Sequence, residues 1–149
     1  MGNNSKGTWV EKQMICSTPF LKLTKKATDI LLLFRLRMKK SKQGKKKWVH
    51  INNGEIVFPY SEAEKKYRIP RATFRRAIDQ LIELGFIDIN HLGGRLLKDC
   101  TTYYLSERWE YFGTDEFVYK ERPKDPRKLG FTSENWEERT GKKRKAKQK

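Results

Sequence analysis

Pro70 and Gly85 constrain this chain more than any other pair of residues, because they bracket the segment "RATFRRAIDQLIEL". A proline disfavours helix in the residue before it and suits the first turn of a helix after it. A glycine readily enters the left-handed conformation that ends helices. Between the two, Phe74, Ala77, Ile78 and Leu81 recur at helical spacing, with Ile82 at the margin. A helix is therefore expected from about Arg71 to Leu84. Upstream, Ser61-Glu62-Ala63-Glu64 fits the S-x-x-E capping box and opens a short helix to about Tyr67. Downstream, "FIDIN" alternates apolar and polar from Phe86, the pattern of a strand with one buried face.

The flanking chain supplies the remaining elements. Thr24 is a good N-cap for a helix from Lys25 to about Lys39, on which Ala27, Ile30, Leu31, Phe34 and Met38 share a face. Leu32, Leu33 and Leu36 widen that face, as in a helix that is central to the fold or packed on a second chain. "KKSKQGKKK" reads as a lysine-rich loop, 39–47, before a short strand over Trp48–Ile51. Asn52-Asn53-Gly54 marks a turn, and "EIVFPY" a brief strand stopped by Pro59. Gly93-Gly94 suits a hairpin tip, with Thr101 to Leu105 returning as its partner strand. Ser106 can cap one more turn containing Trp109 and Phe112. Pro19 argues against helix through "MICSTPFLKL". The expected organisation is a flexible segment over 1–18, a folded domain over 19–119 and a basic, mostly disordered tail over 120–149.

Helix, short strand, helix, turn, helix, strand, glycine-tipped hairpin, strand is the order of an α+β winged helix-turn-helix domain. On its third helix, 100° per residue places Ala72, Thr73, Arg76 and Gln80 opposite the apolar stripe. Arg75 falls on the flank and Arg71 at the N-terminal end. Arginine can pair in a bidentate way with guanine, glutamine with adenine, and threonine can touch a methyl or phosphate. Arg71, Thr73, Arg75, Arg76 and Gln80 are thus the candidate readers of duplex DNA, and His91, Arg95 and Lys98 the candidate wing contacts. Polar residues opposite an apolar stripe are equally what any surface helix shows, and a basic hairpin can be merely solvated.

Charge points to an anionic partner. The net charge is +16, from 34 basic and 18 acidic residues. Twelve of those basic residues lie in two acid-free runs, Lys39 to Lys47 and Lys142 to Lys149, which leaves the rest of the chain near +4. Such runs neutralise phosphates without reading sequence. Within the first, Lys45, Lys46 and Lys47 are the candidate backbone contacts. Neither run has the apolar spacing of a membrane-surface helix, and "ILLLF" is too short to span a bilayer.

The stretch from "NNGEIVFPYSEA" through "GFIDI" to "TTYYLSERWEYFGT" resembles winged helix-turn-helix proteins carried by phages, plasmids and integrative elements in bacteria. Many of those look related to replication-initiation domains. The similarity covers about Pro19 to Phe117 and departs at Pro70-Arg71, where such domains often carry a serine or similar cap. It implies double-stranded DNA binding in the bacterial cytoplasm, nucleoid-associated, in replication or transcription control of a mobile element. Two other readings stay open: a protein–protein adaptor on the same scaffold, and RNA binding. A homodimer through the apolar first helix is a further expectation.

Enzymatic chemistry, a cofactor and a small-molecule ligand are not expected. Cys16 and Cys100 form no CxxC pair, and His50 and His91 are the only histidines, so zinc spacing is missing. Neither a nucleophile elbow nor a phosphate-binding glycine loop is present.

Overall fold

The computed structural model describes residues 7–94 and 98–124. It begins with two single-turn helices, α1 (Lys12–Ile15) and α2 (Thr18–Leu21). The flexible segment expected over 1–18 is therefore folded from Lys12 onward, because Met14 is fully buried in the core. Pro19 does not prevent α2. It sits in the first turn, where its missing N–H has no helical partner to lose. The Ser17 hydroxyl accepts the Phe20 N–H at 3.3 Å and caps the turn.

Next comes α3 (Lys25–Leu36), capped as expected by Thr24, whose Oγ1 accepts the Ala27 N–H at 3.3 Å. Ala27, Ile30, Leu31 and Phe34 face the core, while Leu32 and Leu36 remain exposed on the outside. The lysine-rich segment is not a loop. Lys40–Gln43 (β1) and Lys47–His50 (β2) form an antiparallel hairpin around Gly44-Lys45-Lys46. Its base is stapled by Asn52, which accepts the Lys39 N–H at 2.7 Å and donates to the Arg37 carbonyl at 2.8 Å. With no apolar alternation on β1, the pattern that marks a half-buried strand is missing there.

The chain continues through β3 (Ile56–Val57), α4 (Tyr60–Tyr67), α5 (Arg71–Glu83), β4 (Ile87–His91), β5 (Thr102–Leu105) and a 3-10 turn, Arg108–Tyr111. The expected capping box does not form. Pro59 is the N-cap of α4, so Ser61 lies inside the first turn and makes no cap bond. Glu62 instead accepts from Arg37 at 2.7 Å. Between α4 and α5, Arg68 takes a left-handed conformation (φ 53°), and the Ile69 N–H returns to the Ala63 carbonyl at 3.0 Å. That turn buries Ile69 and lets Pro70 lead into α5.

The second sheet has the order β3-β5-β4, with Ile56 opposite Tyr103 and Ile87 opposite Leu105. Its inner face and the helices enclose an aromatic cluster. Phe58 packs edge-on against Phe34 and Phe74, with ring centroids 5.3 and 4.8 Å apart, and Tyr103 meets Phe34 at 5.1 Å. Such pairs contribute about 0.5–1.5 kcal/mol each beyond the area they bury. Gly85 stops α5 at φ 86°, and a Cβ there would lie 2.7 Å from the Trp109 backbone nitrogen. The close approach lets the Trp109 N–H reach the Gly85 carbonyl at 3.1 Å and its ring stack on Phe86.

Among the described residues the architecture is thus α+β, five helices with two small antiparallel sheets, and is compatible with a winged-helix-like fold. Among the described residues no helix is long and apolar enough to cross a membrane.

Candidate nucleic-acid interface

The inner side of α5 is fixed by Phe74, Ala77, Ile78, Leu81 and Ile82, all buried. Its outer side carries Arg71, Arg75 and Arg76, all exposed, and Thr73 is half-buried at the edge. No acid stands in the first turn, so the positive end of the helix dipole and three guanidinium groups coincide. Arg71 touches Glu64 at 3.4 Å, with both side chains more than half exposed. A pair that open is worth little, and Arg71 can exchange it for a phosphate.

Gln80, expected among the readers, serves another purpose. Its Oε1 accepts from the Thr24 N–H at 3.0 Å and from the Thr24 hydroxyl at 3.1 Å, and its Nε2 donates to the Lys22 carbonyl at 3.2 Å. Both ends of the amide are engaged, so the side chain pins α5 to the start of α3 and has no free edge for adenine. The partner lies 56 residues away, and no local spacing announces it.

The opposite flank of α5 is held by a residue that the sequence placed in the tail. Arg122 donates to Asp79 at 2.6 Å, to the Tyr60 hydroxyl at 2.9 Å and to the Arg75 carbonyl at 3.2 Å. Burial would lower the pKa of this guanidinium, but its bonds to Asp79 and Tyr60 outweigh that and raise it. Residues 120–124 form neither helix nor strand, yet they are tied to the folded body. The rest of the expected tail lies outside the described residues. The docked segment and the N-terminal half of α5 border an open groove of about 1240 Å³, with Arg71, Arg75 and Leu92 on its walls.

The wing candidates are separated by their surroundings. His91 stands at the end of β4 with Nε2 2.7 Å from Asp99, so the ring already has an acidic partner. Lys98 is exposed, with a left-handed φ of 65°. Arg95 lies outside the described residues. At the neck of this loop, a Cβ on Gly93 would fall 2.3 Å from the Cys100 carbonyl carbon, so only glycine lets the two chain segments approach this closely. Lys45, Lys46 and Lys47 sit at the far end of the first hairpin, all exposed.

Behind α5 lies a buried ion pair that sequence reasoning missed. Asp88, in the middle of "FIDIN", faces inward and accepts from Arg108 at 2.5 and 3.0 Å, while the same guanidinium donates to the Ile82 carbonyl at 2.8 Å. Burial pushes the Asp88 carboxyl up, but Arg108, aided by Lys120 and Tyr104, more than offsets this and holds it below the usual carboxylate range. The alternation marked Asp88 as a solvent position, and nothing at local spacing signals its partner.

Among the described residues, no group of His, Cys, Asp and Glu is placed to hold a metal ion. Comparison with protein-family models, characterised proteins and solved structures returned no match.

Proposed function

We propose that this chain binds double-stranded DNA sequence-specifically as a winged helix-turn-helix protein, with α5 as the recognition helix. The observation that carries the reading is the outer surface of α5. Arg71, Arg75 and Arg76 stand exposed at its N-terminal half, and Asp79, the acid nearest them on the helix, is paired with Arg122. An arginine-rich face on a helix clamped along its other side suits the major groove, which admits one helix. Thr73 and the exposed Lys98 extend the contact, and the lysines of the first hairpin add affinity without sequence preference. The resemblance supports a role in replication or transcription control of a bacterial mobile element, in the cytoplasm at the nucleoid, without catalysis.

Competition gel shifts between related duplexes test the reading. Arg76→Ala should reduce discrimination by about tenfold, within the 1–3 kcal/mol expected of a base contact, and leave the thermal midpoint in place. Undiminished discrimination in both Arg76→Ala and Arg71→Ala would remove α5 as the reader. Exposed Leu32 and Leu36 on α3 also support a homodimer through that helix. A palindromic selected site and a dimeric sedimentation mass would accompany it.

A further inference from the structure

The first hairpin is the part of the molecule whose composition the fold does not explain. Its strand pairing puts Lys42 opposite Trp48 and Lys40 opposite His50, so these four side chains share one face. Lys45 and Lys46 close the tip. From Met38 to Gly54 the chain has no acidic residue. Every residue of β1 is exposed, and Trp48 is 51% exposed although it sits on a paired strand. Lysines alone would serve to guard an unpaired edge. A tryptophan held open to water among them does not, since it adds apolar surface at the place a soluble edge needs it least. The arm is nevertheless held in position, because Asn52 staples its base and the Ile51 N–H bonds the Lys39 carbonyl at 3.0 Å.

We propose that the β1–β2 hairpin is a second nucleic-acid site, which stacks an unpaired base on Trp48 and holds the adjoining phosphates with Lys40, Lys42 and the tip lysines. A flat indole accepts the face of any base, and flanking cations track the backbone, the combination used for single strands. A duplex groove would use Trp48 poorly, because the indole offers one donor and no acceptor to base edges. Desolvation of the His50 ring, with the charges of Lys40 and Arg35, lowers its pKa and so favours its uncharged form. The site therefore presents a neutral ring beside two cations. It lies between α3 and β3 in the chain and takes nothing from α5. The nucleic acid would thus be held at two places, paired at α5 and unpaired at the hairpin.

The test titrates full-length protein with a plain duplex, the same duplex carrying a short unpaired segment, and a single strand, following binding by anisotropy. Wild type should prefer the unpaired substrates. Trp48→Ala should lose about tenfold on them, the scale of one stacked base, and stay within about twofold on the plain duplex. Trp48→Phe should retain most of the preference. The Lys40→Gln, Lys42→Gln double variant should lower the salt slope on single strands by about 1.4, from 0.7 per phosphate contact. Equal binding of all three substrates by wild type, or a Trp48→Ala variant that keeps the preference, would overturn the site. So would a Trp48 emission shift with anionic lipid vesicles and none with oligonucleotides. The proposal shares only the nucleic-acid class with the recognition-helix reading. Loss of duplex discrimination in Arg76→Ala with no effect of Trp48→Ala refutes the arm alone, and the reverse pattern refutes the recognition helix alone.

Discussion

Arg122 shows how a single side chain can set the character of a surface. Without it, Asp79 would stand as an open negative charge one helical turn from Arg75 and Arg76. With it, the acid is neutralised and the Arg75 carbonyl gains a donor. Arg122→Ala should therefore lower thermal stability by about 1–2 kcal/mol, the cost of leaving partners of a charged hydrogen bond unsatisfied. With α5 as the proposed reader, it should also weaken DNA binding. Adding Asp79→Asn should restore most of the affinity but not the stability, a split that a double-mutant cycle of melts and binding isotherms would resolve. The sequence allowed none of this to be foreseen, because Arg122 lies among prolines and charges 43 residues beyond Asp79. Gln80 is the converse case. Its place on the helix was legible from the 100° rule, but its use was not, since the Thr24 and Lys22 groups that engage it come from a different part of the chain.

At the level of elements, legibility followed periodicity. The α5 helix and the strand β4 came through because their apolar spacing agrees with their end signals, Pro70 and Gly85. Thr24 and α3 did likewise. Of the first hairpin only β2 was legible, as the strand expected over Trp48–Ile51, whereas β1 buries nothing and no alternation marks it. The capping box at Ser61 failed because Pro59 capped the helix two residues sooner and Arg37 claimed Glu62. That pairing holds Glu62 below the usual carboxylate range, first through the Arg37 hydrogen bond. The junction after α5 depends on Gly85 twice, through its positive φ and its contact with the Trp109 backbone. Gly85→Ala should accordingly cost more than the roughly 1 kcal/mol of left-handed strain alone. We expect about 2–4 kcal/mol in chemical denaturation, with the Trp109 fluorescence transition displaced to lower denaturant.

For the molecule as a whole, acid is the informative stress. Asp88 and Glu62 both titrate lower in the folded chain than in the unfolded one. Their contribution to stability is complete above the unfolded values, near pH 4, and is lost as pH falls through the lowered native ones. Thermal midpoints should hold from pH 7 to about 5 and then fall steeply toward pH 3. Asp88→Asn should start lower at pH 7 and lose less over the same interval. The α5 helix, meanwhile, is gripped on one flank by Gln80 and on the other by Arg122, with Phe74, Ile78 and Leu81 beneath. A helix held from three directions opens only when the domain itself unfolds. Its arginines are then presented on a rigid rail before any ligand arrives, so little conformational entropy is surrendered on docking. Association at α5 would show the modest heat-capacity change of two preformed surfaces meeting, and not the large one of a segment that folds as it binds.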